Sequence, residues 1–125
     1  MKTFKFYRYH RIVLTSRNDV SIRLLITTYN TDPNAPYKVS ISAEGNKKNL
    51  GKLFSHLSNH YGESLSSLLP EGTRYEYPDS IVAFDMDHAT EILLCLIELW
   101  KPIGSRIRLY DHKLREIYTI WEKPL

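Results

Sequence analysis

The sequence lacks several features of secreted and membrane proteins. It has a single cysteine, Cys95, so an intramolecular disulfide is excluded and a reducing compartment fits. Its most apolar segment, residues 92–97, is far shorter than the ~20 residues that cross a bilayer. The first residues are basic but have no apolar core of signal-peptide length. We therefore expect a cytoplasmic protein that does not act at a membrane.

Repeats, low-complexity tracts and linkers are also missing from residues 1–125. What is present is ordinary globular composition, with 42% hydrophobic and 25% charged residues. This length and composition predict a single domain over residues 1–125.

Charge is distributed unevenly along the chain. The net charge is +3, yet residues 1–52 hold ten lysines and arginines against three acidic residues. Residues 63–98 hold Arg74 alone against eight acidic residues. This asymmetry predicts a surface with a basic part and an acidic part.

Three segments near the start alternate apolar and polar residues, which indicates strands over residues 2–14, 20–29 and 37–43. Turn residues separate them, so an antiparallel meander is expected. Leucine spacing then predicts a helix over residues 49–69, which Gly62 can divide in two.

The second half of the chain adds short strands at 73–77 and 80–86 and a helix from the N-cap Asp87 to about Lys101. Residues 105–110 and 114–121 fit a closing hairpin, although the last segment also fits a helix. The predicted fold class is α+β. It is an antiparallel sheet, made of the N-terminal three-stranded meander and C-terminal strands, with two helices packed on one face.

An apolar strand followed by Asp85-x-Asp87 resembles the nucleophile motif of haloacid dehalogenase-like phosphatases. The resemblance covers about eight residues and implies a parallel sheet, Asp85 as nucleophile, Asp87 as acid/base and Mg²⁺ as cofactor. His88 and Ala89 stand where that family has glycine and threonine, and Thr90 comes one place late. We favour the other interpretation, a strand end followed by a helix N-cap, and expect neither catalysis nor a cofactor.

A zinc site is the second chemical alternative. His56 and His60 are four residues apart and Glu63 follows, a spacing that places them on one flank of a helix. The glutamate of an H-E-x-x-H motif is replaced by Leu57. We interpret both histidines as boundary residues and expect no metal.

If the helices cover one face of the sheet, the other face is open to solvent. The side chains that alternation assigns to it are mostly basic or aromatic: Lys5, Tyr7, Tyr9, Arg11, Arg23, Tyr29 and Lys38. Tyrosine and arginine are enriched at binding hot spots. An alternative acidic surface is formed by Glu76, Asp79, Asp85, Asp87 and Glu91, and it would suit a basic target such as a nuclease.

These patterns favour a non-catalytic protein-binding module, a small intracellular inhibitor of the toxin-immunity or phage anti-defence type. That comparison is an analogy of type, drawn from size and from the failure of the catalytic motifs. The alternative is a nucleic-acid-binding protein that uses the basic, tyrosine-bearing sheet face.

Overall fold

The computed structural model describes residues 10–18, 21–28, 37–43, 49–63, 65–71, 73–76, 80–111 and 113–124. Seven strands and three helices follow one another in these ranges. They are β1 Arg11–Ser16, β2 Ser21–Thr28, β3 Tyr37–Ala43, α1 Asn49–Tyr61, α2 Leu65–Leu68, β4 Arg74–Glu76, β5 Ser80–Ala83, α3 Met86–Trp100, β6 Gly104–Tyr110 and β7 Glu116–Glu122.

All seven strands belong to one sheet with the order β4-β5-β3-β2-β1-β6-β7, and every described strand pair is antiparallel. The predicted α+β class and the β1-β2-β3 meander are therefore confirmed. Residues 2–9 of the first predicted strand lie outside the described residues, and that strand ends at Ser16 rather than at residue 14. The C-terminal hairpin is also confirmed, and the helical interpretation of its last segment is wrong because β7 pairs with β6. The hairpin joins the sheet beside β1, which places the first described strand in the interior of the sheet.

One face of the sheet is apolar because alternation places the aliphatic residues of β1 and β2 on the same side. Ile12 pairs with Leu24 and Leu14 pairs with Ile22, and all four side chains are buried. On its other edge β1 places the same two residues opposite Leu109 and Ile107 of β6, which are also buried. These three strands form a continuous apolar layer under the helices.

The helix α1 contacts β3 and contributes Leu53 and Leu57, which are fully buried, to the same apolar core. It ends where Gly62 adopts a φ of +70°, a conformation that glycine reaches without steric cost. The predicted division at Gly62 is thus confirmed. At the last residue of α1, the Tyr61 hydroxyl donates to the Leu99 carbonyl of α3 over 2.6 Å.

The longest helix, α3, lies over the sheet and contacts β3 and β5. Six of its residues are buried in the core: Ala89, Ile92, Leu93, Leu96, Ile97 and Trp100. Asp87, Glu91 and Glu98 are exposed on its outer side. Short α2 meets α3 where the Cys95 thiol donates to the Leu68 carbonyl over 3.2 Å.

The predicted N-cap of α3 is wrong by two residues. Asp85 has extended φ and ψ of −155° and −177°, and its side chain accepts a hydrogen bond from the His88 backbone N–H over 2.8 Å. Asp87 lies inside the first turn, where its negative charge interacts favourably with the helix dipole. The preceding strand ends at Ala83 rather than at residue 86, and this earlier end moves the cap to Asp85.

In the described part of the chain, no helix combines the length and the apolar character needed to span a membrane.

Candidate binding surface on the open sheet face

The face of the sheet opposite the core, here called the open face, carries a cross-strand arrangement centred on Val13. Its direct partners are Arg23 on β2 and Arg108 on β6. Two residues earlier on β1, Arg11 lies opposite Tyr110 of β6. Directly opposed residues are about 5 Å apart, and long side chains also reach diagonal neighbours. An apolar side chain therefore lies among three arginines.

Of the residues predicted for this face, the structure brings Arg11 and Arg23 together. Arg11 is half-buried and Arg23 is exposed. Lys38 lies on β3 in register with Thr27 of β2. The four other predicted residues, Lys5, Tyr7, Tyr9 and Tyr29, lie outside the described residues.

Sequence reasoning missed the contribution of β6. Arg106, Arg108 and Tyr110 alternate with buried Ile107 and Leu109, and this alternation is visible in the sequence. Nothing local shows that β6 pairs with β1, because the two strands are separated by most of the chain. The alternation signal was present, but the partner strand was not identifiable.

Residues of β1, β2, β6 and the β6–β7 turn form a concavity of about 260 Å³ on the open face. It is lined by Arg11, Val13, Ser21, Arg23, Tyr110 and Leu114. Two arginines, one tyrosine and two aliphatic side chains offer charged, hydrogen-bonding and apolar contacts in a small area. Arginine and tyrosine are residue types that are enriched at binding hot spots.

Leu114 reaches the concavity from the β6–β7 turn and has an unusual backbone. Its φ is +63°, which costs a bulky residue about 1–2 kcal/mol. It is also 59% exposed, so burial does not offset this cost. Strain of this kind, held in place by surrounding structure, clusters at functional sites.

Asp111 is the residue that holds this turn. Its Oδ1 accepts from the backbone N–H groups of Lys113 and Arg115, each over 2.9 Å, and its Oδ2 accepts from the Arg115 side chain over 2.9 Å. The Leu114 N–H donates to the Asp111 carbonyl over 3.0 Å. These hydrogen bonds, the backbone N–H of Arg115 foremost, lower the pKa of Asp111.

Ion pairs compensate the arginines on β6 but not Arg23. The Nε of Arg108 lies 3.1 Å from a Glu116 carboxylate oxygen, and that of Arg106 lies 3.7 Å from Glu122. Both Nε atoms are buried and make no aligned hydrogen bond within the described residues, so these contacts act through charge. The Arg23 side chain makes no hydrogen bond or ion pair with the described part of the chain. Arg23 on β2 therefore carries a positive charge that the described residues do not compensate.

The alternative acidic surface is also partly assembled. Asp85, Asp87 and Glu91 are exposed and line a second, more open concavity together with Glu71 and Phe84. Of the two other predicted members, Glu76 ends β4 and Asp79 lies outside the described residues. Asp85 and Asp87 have a sufficient structural reason for their positions, because one caps α3 and the other lies in its first turn.

The haloacid dehalogenase resemblance does not extend to the fold. Its Asp85-x-Asp87 segment follows β5, which is antiparallel to both neighbours, β3 and β4. His88 stacks on Phe84 at 4.7 Å and accepts a hydrogen bond from the Phe84 backbone N–H over 3.1 Å. This neighbourhood orders the start of α3.

The histidines of the zinc alternative contact different aromatic rings. His56 meets Trp100 edge-on at 5.5 Å, whereas His60 meets Tyr61 at 4.7 Å. Among the described residues, no group of three or more histidine, cysteine or acidic side chains is close enough to hold a metal ion.

In comparison with known proteins, the chain matches no family model, no curated protein and no solved structure.

Proposed function

We propose that this chain is a non-catalytic protein-binding module whose contact surface is the open face. The observation that carries the proposal is the exposed Arg23, which has no ion-pair partner in the described chain and lines a concavity with Tyr110 and Leu114. Arginine and tyrosine supply most of the binding energy in many interfaces.

The open face is favoured over the acidic surface because its charges are not explained by secondary structure. Asp85 and Asp87 stabilise the N-terminus of α3 whether or not a partner binds. Arg23 has no comparable role. A small binding module with such a face is suited to act as an inhibitor that covers a site on one partner.

Nucleic acid is the second candidate, supported by four arginines and Tyr110 on the open face. Against it, Glu116 and Glu122 lie along the same face and compensate two of those arginines. A nucleic-acid groove needs positive charge along a continuous path for the phosphates. A compact positive area beside apolar side chains fits a protein partner better.

The test is affinity capture from cells of the organism that encodes the chain, with identification by mass spectrometry. The bait is the parent chain, and the comparison is the Arg11→Glu, Arg23→Glu double variant. Arg17→Glu is the matched control, because its side chain donates to the Pro102 carbonyl and does not line the concavity. We expect one protein to be retained by the parent and the control and lost by the double variant.

A salt series with labelled single-stranded DNA and RNA separates the two candidates. Nucleic-acid binding through phosphates falls steeply with salt, and it should be strong at about 50 mM. Tight binding at low salt that Arg23→Glu abolishes would replace the protein partner with nucleic acid. If the captured partner is an enzyme, equimolar addition of the chain is expected to suppress its activity.

A further inference from the structure

We infer that the concavity on the open face receives a carboxylate side chain of an acidic protein segment, together with an adjacent apolar side chain of that segment. The inference rests on the proposed function and specifies what the partner must present. It combines three observations: the position of the uncompensated charge, the apolar centre of the site and the strained residue at its wall.

The positive charge of the concavity indicates that the polar group of the ligand is negatively charged. Arg11 and Arg23 both line the concavity, and Arg23 has no acidic partner in the described residues, in contrast to Arg106 and Arg108. A guanidinium binds carboxylate through two parallel hydrogen bonds. The concavity has a volume of about 260 Å³ and is lined by two arginines, which suits one carboxylate rather than a continuous path of phosphates.

The apolar half follows from Val13 and Leu114. Val13 lies between Arg23 and Arg108 in the strand register, and Leu114 borders the same concavity from the turn. Together with the ring of Tyr110, they give a bound aliphatic or aromatic side chain an apolar surface. Burying that surface strengthens the neighbouring charge-assisted hydrogen bonds, because it excludes water from them.

The backbone conformation of Leu114 indicates that its side chain serves binding rather than folding. Glycine would adopt its φ of +63° without strain, and asparagine would do so at low cost. A leucine there exposes 59% of its surface and contributes little to the core. The strained choice is explained if the side chain is covered when the partner binds.

The test is a nuclear magnetic resonance titration of the full chain with blocked tetrapeptides. The probe is acetyl-Gly-Leu-Glu-Gly-amide, and the matched control is acetyl-Gly-Leu-Gln-Gly-amide. Two further ligands are inorganic phosphate and an octamer of thymidine. We expect the Glu peptide to shift signals of Val13, Tyr110 and Leu114, and the Gln peptide to bind about tenfold more weakly.

Two variants separate binding from stability. Arg23→Gln is expected to weaken the Glu peptide about tenfold, whereas Arg17→Gln leaves its affinity unchanged. Leu114→Gly is expected to weaken the peptide while the Tm stays equal or rises, since the strain is relieved. A lower Tm for Leu114→Gly would show a structural role for this side chain and overturn the argument from strain.

The remaining outcomes of the titration also test the inference. Equal affinity for the Glu and Gln peptides would show that the concavity does not select a carboxylate. Phosphate that binds as tightly as the Glu peptide would show that the apolar side chain of the ligand contributes nothing to binding. Tighter binding of the thymidine octamer assigns the site to nucleic acid. Concentration-dependent self-association that Arg23→Gln abolishes assigns it to a second copy of the chain. If capture of a partner fails but the Glu peptide binds specifically, the proposed function fails while the chemistry of the pocket stands.

Discussion

The indole Nε1 of Trp100 donates a hydrogen bond to the carbonyl oxygen of Thr15 over 3.0 Å and thereby joins the end of α3 to the end of β1. Trp100 is fully buried and is the largest such side chain in the described core. The Ser105 hydroxyl donates to the next carbonyl, that of Ser16, over 2.9 Å. The link from α3 to β6 is therefore fixed against the interior of the sheet.

Gly104 has no room for a side chain in this arrangement. A Cβ at this position would overlap Nε1 and Cδ1 of Trp100 and lie 3.0 Å from the Thr15 carbonyl oxygen. Because a buried ring and a strand backbone cannot both move aside, we expect Gly104→Ala to lower the free energy of unfolding by about 3 kcal/mol. Urea denaturation followed by circular dichroism measures the change.

Gly62→Ala is the matched control for this substitution. Gly62 has a positive φ but open space around it, so the cost is confined to the backbone and should be about 1 kcal/mol. If the two alanine variants were equally destabilised, the overlap with Trp100 would not be the cause.

Leu96 and Leu94 test the orientation of α3. Leu96 is fully buried and Leu94 is 36% exposed on the same helix. We expect Leu96→Ala to cost about 2–5 kcal/mol and Leu94→Ala about 0.5 kcal/mol or less. Thermal melts of both variants beside the parent check this, and similar melting temperatures for the two would contradict the orientation.

Asp85 and Asp87 differ in their contribution to the same helix. Asp85→Ala removes the acceptor of the His88 N–H and should cost about 1 kcal/mol, whereas Asp85→Asn retains a good N-cap and should melt close to the parent. Asp87→Ala removes only a negative charge in the first turn and should lower the free energy of unfolding by roughly 0.3 kcal/mol. Urea midpoints give the ranking. A larger loss for Asp87→Ala would restore Asp87 as the N-cap.

Asp111 provides a dependence of stability on pH. Hydrogen bonds, first that from the Arg115 backbone N–H, lower the pKa of this carboxyl in the folded chain. Since the folded pKa lies below the unfolded value of about 3.9, the ionised carboxylate stabilises the fold at neutral pH. That contribution is lost as pH falls through the folded pKa. We expect Asp111→Asn to lower the Tm at pH 7 and to approach the parent below about pH 4. A Tm difference that stays constant down to pH 3 would refute this.

Local patterns were sufficient for most elements of the fold. The bounds of β3 follow from strict alternation bordered by turn residues, and α3 ends at Trp100, one residue before its predicted end. The N-cap was misplaced because Asp85 and Asp87 have the same capping chemistry. Only the end of β5 at Ala83 decides between them, and strand ends are set by pairing with neighbours.

The part of the candidate site that lies on β1 and β2 could be predicted from the sequence, and the part on β6 and the following turn could not. Alternation along β1 and β2 identified Arg11 and Arg23 without knowledge of the fold. Tyr110 required the pairing of β1 with β6, which is non-local. The position of Leu114 depends on hydrogen bonds to Asp111, and leucine carries no sequence signal for a positive φ.

The interior position of β1 affects the order in which the sheet can form. β1 pairs with β2 through a short turn, but its other edge pairs with β6, which lies far along the chain. Closing so long a loop is slow compared with forming a hairpin. Until β6 has paired, the concavity lacks the wall that Tyr110 and Leu114 supply beside Arg11 and Arg23. The open face is therefore completed by one of the slowest pairings of the sheet.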